Sequence, residues 1–192
     1  MHSHRLILAS TSRYRAQLLS RLPIKFEQID PNVEEIHAAD ESPEQMAIRL
    51  AASKAAAGLR ARPDCIVIGS DQVYELDGMA FGKPGQRATA IEQLQRSSGR
   101  LGTFHTAVSV ISKADVITEN VQTRVQFRPL TADQITRYVD CEPAFDCAGS
   151  FRSEQFGISL FEWVRSDDPT AIVGLPLIAL VRILDRFGLS LP

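Results

Sequence analysis

The sequence predicts an α/β fold, and three observations carry that prediction. The apolar run at residues 5–9 (RLILA) is followed by a polar Ser10, Thr11 and Ser12, and then by Tyr14, Leu18, Leu19 and Leu22 at helical spacing. That is strand, loop, helix. A second buried-strand run, residues 65–69 (CIVIG), follows a long helical pattern. Residues 101–112 and 116–127 alternate as two long strands, with 113–115 as the turn. Strands and helices mix along the whole chain, without repeats, low-complexity tracts or a linker.

The remaining elements follow in order. Residues 26–29 read as a strand, and residues 31–40 as an acidic loop holding Glu34 and Glu35. Ser42, Pro43 and Gln45 supply the N-cap, N1 proline and N3 partner of a helix. Met46, Leu50, Ser53, Lys54 and Ala57 continue it, and Gly58 and Pro63 mark its end. Ser70, Asp71 and Gln72 end the 65–69 strand, residues 73–76 continue it or pair elsewhere, and Asp77-Gly78 signals a hairpin. Gly82 to Gly85 make a sharp loop, and residues 87–98 a helix ending at Gly99. Thr131 and Gln134 form a capping box. Residues 147–157 read as a loop, 158–164 as a strand and 172–187 as mostly helix, starting near Pro176.

Composition narrows the function. The 192 residues are 44% hydrophobic and 23% charged, as in an ordinary globular chain. One domain over residues 1–192 is expected, with residues 1–4 disordered. A net charge of −2 leaves no global basic field, which argues against a nucleic-acid partner. The thirteen aromatic residues show no interleaving with basic ones, which argues against an RNA-binding module. Cys65, Cys141 and Cys147 are an odd, scattered set with no histidine pair nearby, against structural zinc or disulfides and for a reducing compartment. Only four apolar residues follow Arg5 at the N-terminus, too few for a signal peptide. The longest uncharged run, residues 169–181, is too short for a bilayer. A cytoplasmic protein without a membrane partner is expected.

Five segments can carry chemistry, and each has a plain structural reading beside the functional one. Ser10, Ser12 and Arg15 have the parts of a phosphate cradle, or of a simple N-cap with surface arginines. Asp71, placed just after Gly69 and Ser70 at a strand end, suits a general base or a Mg²⁺ ligand, or a turn. Glu35 can join it as a metal ligand if the fold brings the two together; acidic loops are otherwise solvated. Lys83, between Gly82 and Pro84, and Lys54, on an alanine-rich helix, are two of only four lysines. Either can grip a phosphate or snorkel to solvent. Glu154, in a loop with Gly149 and Gly157 that is open to close approach of a ligand, can accept from a base edge, or the loop is a plain strand-to-strand connection. Cys147 reads as a small buried residue and His105 as structural.

Taken in order, these segments resemble the Maf family of nucleotide pyrophosphatases. The matching residues are Leu8 to Ser12 with Arg15, Glu35 after Val33, Lys54, Gly69 to Gln72, Gly82 to Pro84, Cys147 to Glu154, and Val173 to Leu177. The resemblance covers nearly the whole chain. It implies a Maf/ITPase-like fold, a long mixed β-sheet flanked by helices in two lobes around a central cleft, and allows a homodimer. It implies hydrolysis of a nucleoside triphosphate between the α and β phosphates, with divalent Mg²⁺ or Mn²⁺ as cofactor. In that scheme Asp71 is catalytic, Glu35 and Asp71 hold the metal, and Ser10, Ser12, Arg15, Lys54 and Lys83 bind phosphates.

Tyr14, Gln72 and Glu154 look like the subgroup acting on 7-methyl-GTP. N7 methylation makes guanine a delocalised cation, which Tyr14 can stack on, Gln72 can read at an edge and Glu154 can balance. The alternatives are a preference for dTTP or UTP, and a non-catalytic nucleotide-binding regulator such as a septum formation inhibitor. Two positions depart from the family pattern: Arg13 stands where a proline is common, and Ala107 where a glycine is.

Overall fold

The computed structural model describes residues 5–38 and 40–191. The disorder expected at residues 1–4, with His2 and His4, lies outside the described residues. A seven-stranded mixed sheet is flanked by helices. Its strands are β1 (Leu6–Ala9), β2 (Phe26–Ile29), β3 (Ile66–Leu76), β4 (Met79–Phe81), β5 (Leu101–Ile111), β6 (Val116–Phe127) and β7 (Phe161–Ser166). The helices are α1 (Arg13–Leu19), α2 (Pro43–Ala61), α3 (Arg87–Ser97), α4 (Ala132–Cys141) and α5 (Leu177–Arg186).

The sheet order is β2-β1-β3-β5-β6-β7, with β4 pairing β3. β1 is parallel to β2 and β3, and the other pairs are antiparallel. Local chemistry sets several ends. Ser42 and Thr131 make reciprocal capping boxes with Gln45 and Gln134. Asp77 and Gly78 both take positive φ, as a two-residue hairpin turn requires.

Two apolar clusters share this sheet. One gathers Leu6, Leu8, Ile66, Ile68, Val108 and Val110 under α1 and α5. The other stacks Tyr74, Phe104, Phe127, Phe151 and Phe161 with residues of α3 and α4. β3 and β5 run through both, and a cleft opens between them, as the resemblance implies.

Two expectations change in detail. Asp71 does not end a strand: β3 runs on to Leu76, and Asp71 pairs with Ala107 of β5. What ends there is the neighbour. β1 pairs with β3 only as far as Gly69, and β4 begins pairing at Tyr74. With β5 on the other side, the stretch from Ser70 to Val73 keeps one edge free of strand partners, and the cleft lies along it. The strand expected at 158–164 begins at Phe161, because residues Phe156–Leu160 form a 3₁₀ turn. The helix expected to start near Pro176 does so, with Leu177 as its first residue and a 3₁₀ turn at Ala171–Val173 before it. Asp168 supplies its cap: the buried Oδ2 accepts from the N–H groups of Ile178 and Ala179.

Candidate active site

A cavity of about 520 Å³ fills the cleft, within the usual size of small-molecule sites. The alternation of β3 sorts its chemistry onto two faces. Gly69, Asp71 and Val73 face α2, while Ser70 and Gln72 face the turn before α5. A Cβ on Gly69 would stand 2.3 Å from the Ala51 carbonyl oxygen and 2.4 Å from the Ala55 nitrogen. Only glycine lets α2 press its backbone onto β3, and this close approach brings Lys54 to Asp71. Ala107 is tolerated because it sits among Ala47, Ala51 and Val73, small side chains that leave room for its methyl group.

At this end charge is concentrated. Lys54 Nζ donates to Asp71 Oδ1 and Glu35 Oε1, at 2.5 Å each. Lys83 Nζ lies 4.0 Å from the other Glu35 oxygen. Arg15 donates from Nε to the Gly174 carbonyl and from Nη1 to Ser10 Oγ, and its Nη2 lies 3.9 Å from Asp71 Oδ1. Ser12 is the N-cap of α1 and accepts from the Arg15 N–H. α1 has only seven residues, so the field here comes from three side-chain cations rather than from a long helix. All seven residues expected at the phosphate end are therefore brought together, including Glu35, which the loop carries to Asp71 from 36 positions away in sequence. Asp71 is buried behind Lys54, and of the two it is Lys54 that lines the cavity. Burial pushes the Glu35 carboxyl up, but the Lys54 hydrogen bond and the charges of Lys54, Lys83 and Arg15 outweigh it and hold it below its usual range.

The other end combines aromatic rings with charged side chains. Tyr14, Gln72 and Glu154 all line it, with Phe104, Phe151 and Ile172. Gln72 Nε2 donates to the Ala171 and Ile172 carbonyls and to Thr106 Oγ1. Two carbonyl partners fix the amide's orientation, so Gln72 offers a ligand its Oε1, an acceptor. Asp146, Arg152 and Arg13 also line it; the sequence pattern offers Arg13 only as the second arginine of a phosphate cradle and gives Asp146 and Arg152 no role. Asp146 lies between motif residues in space but in no motif of its own. Burial, the Asp146 charge and a hydrogen bond to Asp146 push the Cys147 thiol up to about 11, which makes it a poor nucleophile. His105 lies away from the cavity, bonded to Glu75 at 2.6 Å, a structural role as expected.

Glu35 and Asp71 fit a divalent cation held jointly with substrate. Mg²⁺ commonly takes one or two carboxylates and completes its shell with water and phosphate oxygens. Among the described residues no three metal-binding side chains cluster, so the nucleotide would have to supply part of the shell.

A cavity with clustered cations and carboxylates at one end and aromatic rings at the other defines a domain of the nucleotide-binding α/β class. Residues 5–187 match the family described as Maf-like protein, and the chain belongs to that family. A relative from Xanthomonas oryzae named 7-methyl-GTP pyrophosphatase is 56% identical, over 98% of this chain and 99% of its own. Another of that name from Aromatoleum aromaticum is 53% identical over the full length of both. The fold is also that of the Staphylococcus aureus Ham1 protein, at a TM-score of 0.57 and 16% identity, covering 95% of this chain and 99% of that one. No helix among the described residues is long and apolar enough to cross a membrane.

Proposed function

We propose that the protein hydrolyses 7-methyl-GTP to 7-methyl-GMP and pyrophosphate in the cytoplasm, removing a modified nucleotide. One observation carries this reading: Lys54 joins Asp71 and Glu35 at one end of a cavity whose other end presents Tyr14, Gln72 and Glu154. The names of the full-length relatives support it.

Lys83 and Arg15, with Ser10 and Ser12, grip the triphosphate and hold the α-phosphorus near Asp71. Asp71 Oδ1 is engaged by Lys54 and faces Arg15. Its Oδ2 has no hydrogen-bond partner among the described residues and is the atom that takes a proton from the attacking water. Water bonds to the α-phosphorus as the bond to the bridging oxygen breaks, and pyrophosphate leaves. Arg15 and Lys54 meet the charge that builds on the phosphate oxygens. A divalent cation on Glu35 and Asp71 would neutralise phosphate charge and polarise the α-phosphate.

At the base end, Tyr14 stacks on the ring, Gln72 Oε1 accepts from an edge N–H, and Glu154 accepts from a ring N–H and balances the methylated cation. The deciding experiment is a panel of normal and N7-methylated nucleoside triphosphates with Mg²⁺, scored for pyrophosphate. A strong preference for 7-methyl-GTP is expected; equal or better turnover of dTTP or UTP would overturn the substrate assignment.

A further inference from the structure

One arrangement at the base end is not explained by the residues assigned above. The Arg13 guanidinium carbon lies 4.8 Å from the centre of the Tyr14 ring, within the range of a cation–π contact. Arg13 Nη2 donates to the Tyr14 hydroxyl at 2.8 Å and lies 3.9 Å from Asp146 Oδ2. The Tyr14 hydroxyl donates to the same Oδ2 at 3.3 Å. The ring and the carboxylate thus form two sides of a small site, and a flat delocalised cation is in it. That cation belongs to a side chain 66% exposed, tethered by little else.

Asp146 has a second cation of its own. Arg152 Nη2 donates to Asp146 Oδ1 at 3.0 Å, and its side chain is mostly buried. Arg152 therefore pairs with Asp146 whatever Arg13 does. Burial raises the Asp146 carboxyl, but the bonds from Arg152 and Cys147 outweigh it and keep it ionised at neutral pH. A guanidinium and an N7-methylated guanine have the same relevant chemistry, a planar ring or fork with spread positive charge and N–H groups at its edge. One can replace the other on Tyr14 without changing the local charge balance.

We infer that the Tyr14 ring and the Asp146 carboxylate form a planar-cation subsite, filled by Arg13 in the free protein and taken over by the methylated base. The inference rests on the 7-methyl-GTP reading and adds Asp146 as a specificity-determining residue and Arg13 as a displaceable stand-in. A site occupied by its own side chain binds ligand with lowered apparent affinity. The two residues should therefore act in opposite directions, which a purely structural cluster would not do.

The test compares D146N and R13Q with the wild type, using pyrophosphate release from 7-methyl-GTP and GTP. Calorimetric binding of the nucleosides 7-methylguanosine and guanosine accompanies it. Asparagine keeps the shape at 146 and one acceptor oxygen for Arg152, and removes the charge together with the acceptor that the Tyr14 hydroxyl uses. D146N is expected to lower the preference for 7-methyl-GTP over GTP by roughly tenfold, the scale of one cation contact. R13Q is expected to lower the KM for 7-methyl-GTP severalfold and to tighten 7-methylguanosine. A D146N preference within about twofold of the wild type, or a higher KM in R13Q, would overturn the subsite. If the wild type released no pyrophosphate from 7-methyl-GTP, yet bound 7-methylguanosine over guanosine and lost that preference in D146N, the enzymatic reading would fall and the subsite would stand.

Discussion

Lys54 and Asp71 form an ion pair from which water is nearly excluded, with 4% and 6% of their surfaces exposed. Such a pair is held in place by what its loss would cost. Lys54→Met leaves the buried Asp71 charge with only the more distant Arg15, at 3.9 Å. Removing one partner of a buried pair typically costs about 3–5 kcal/mol, so the melting temperature should fall on the order of 10 °C. A thermal melt that does not move would refute the view of this pair as structurally coupled.

Asp71→Asn tests the chemistry rather than the packing. The amide keeps an oxygen for Lys54 but cannot take a proton from water. Pyrophosphate release should fall by roughly 10²- to 10⁴-fold, while circular dichroism still reports the native fold. Near-normal turnover by this variant would remove Asp71 from the role of base.

The Glu35 carboxyl, held low by Lys54, gives a pH dependence with a fixed sign. A carboxyl whose folded value lies below its unfolded one adds stability above the unfolded value, and loses it as pH falls through the folded one. Wild type and E35Q should differ most in melting temperature near neutrality. The gap should close in acid, at and below the ordinary carboxylate range. A gap that stays constant from neutral to acid pH would mean that the Glu35 charge is not what stabilises.

Gly69→Ala places a methyl group against the backbone of α2, at Ala51 and Ala55. Backbone cannot turn aside as a flexible side chain can. The helix must shift, at a cost of about 1–3 kcal/mol or more. Both stability and pyrophosphate release should drop, because Lys54 rides on the same helix. Unaltered melting and activity would show that the contact is looser than the geometry states.

Chelation bears on the carboxylate pair directly. Pyrophosphate release should vanish in excess EDTA and return with Mg²⁺ or Mn²⁺. Full activity in the chelator would confine Glu35 to holding Lys54.

Much of the fold was legible in the sequence because its determinants are local. The capping boxes at Ser42 and Thr131 need only three residues of spacing, and the Asp77-Gly78 turn needs two. The residues gathered around Glu35, Lys54 and Asp71 were legible as a set only through the order of short motifs that carries the family resemblance. What escaped depends on partners distant in sequence. Asp71 looked like a strand end because nothing in its neighbours says that β1 stops at Gly69 while β3 continues. Asp168 belongs to no sequence motif, although it caps a helix ten residues away. Asp146 meets Tyr14 across 132 positions, a contact that only the assembled fold and the 142–154 loop produce.

β3 and β5 are single strands of 11 residues each, and both pass through both apolar clusters. A cleft floored in this way has no hinge. Swinging the two lobes apart would mean breaking the ladder between these strands along its length, whereas a loop can move and leave it whole. Access to the site is then a matter of its walls: the segment carrying Glu35 on one side and the segment carrying Asp146 and Glu154 on the other.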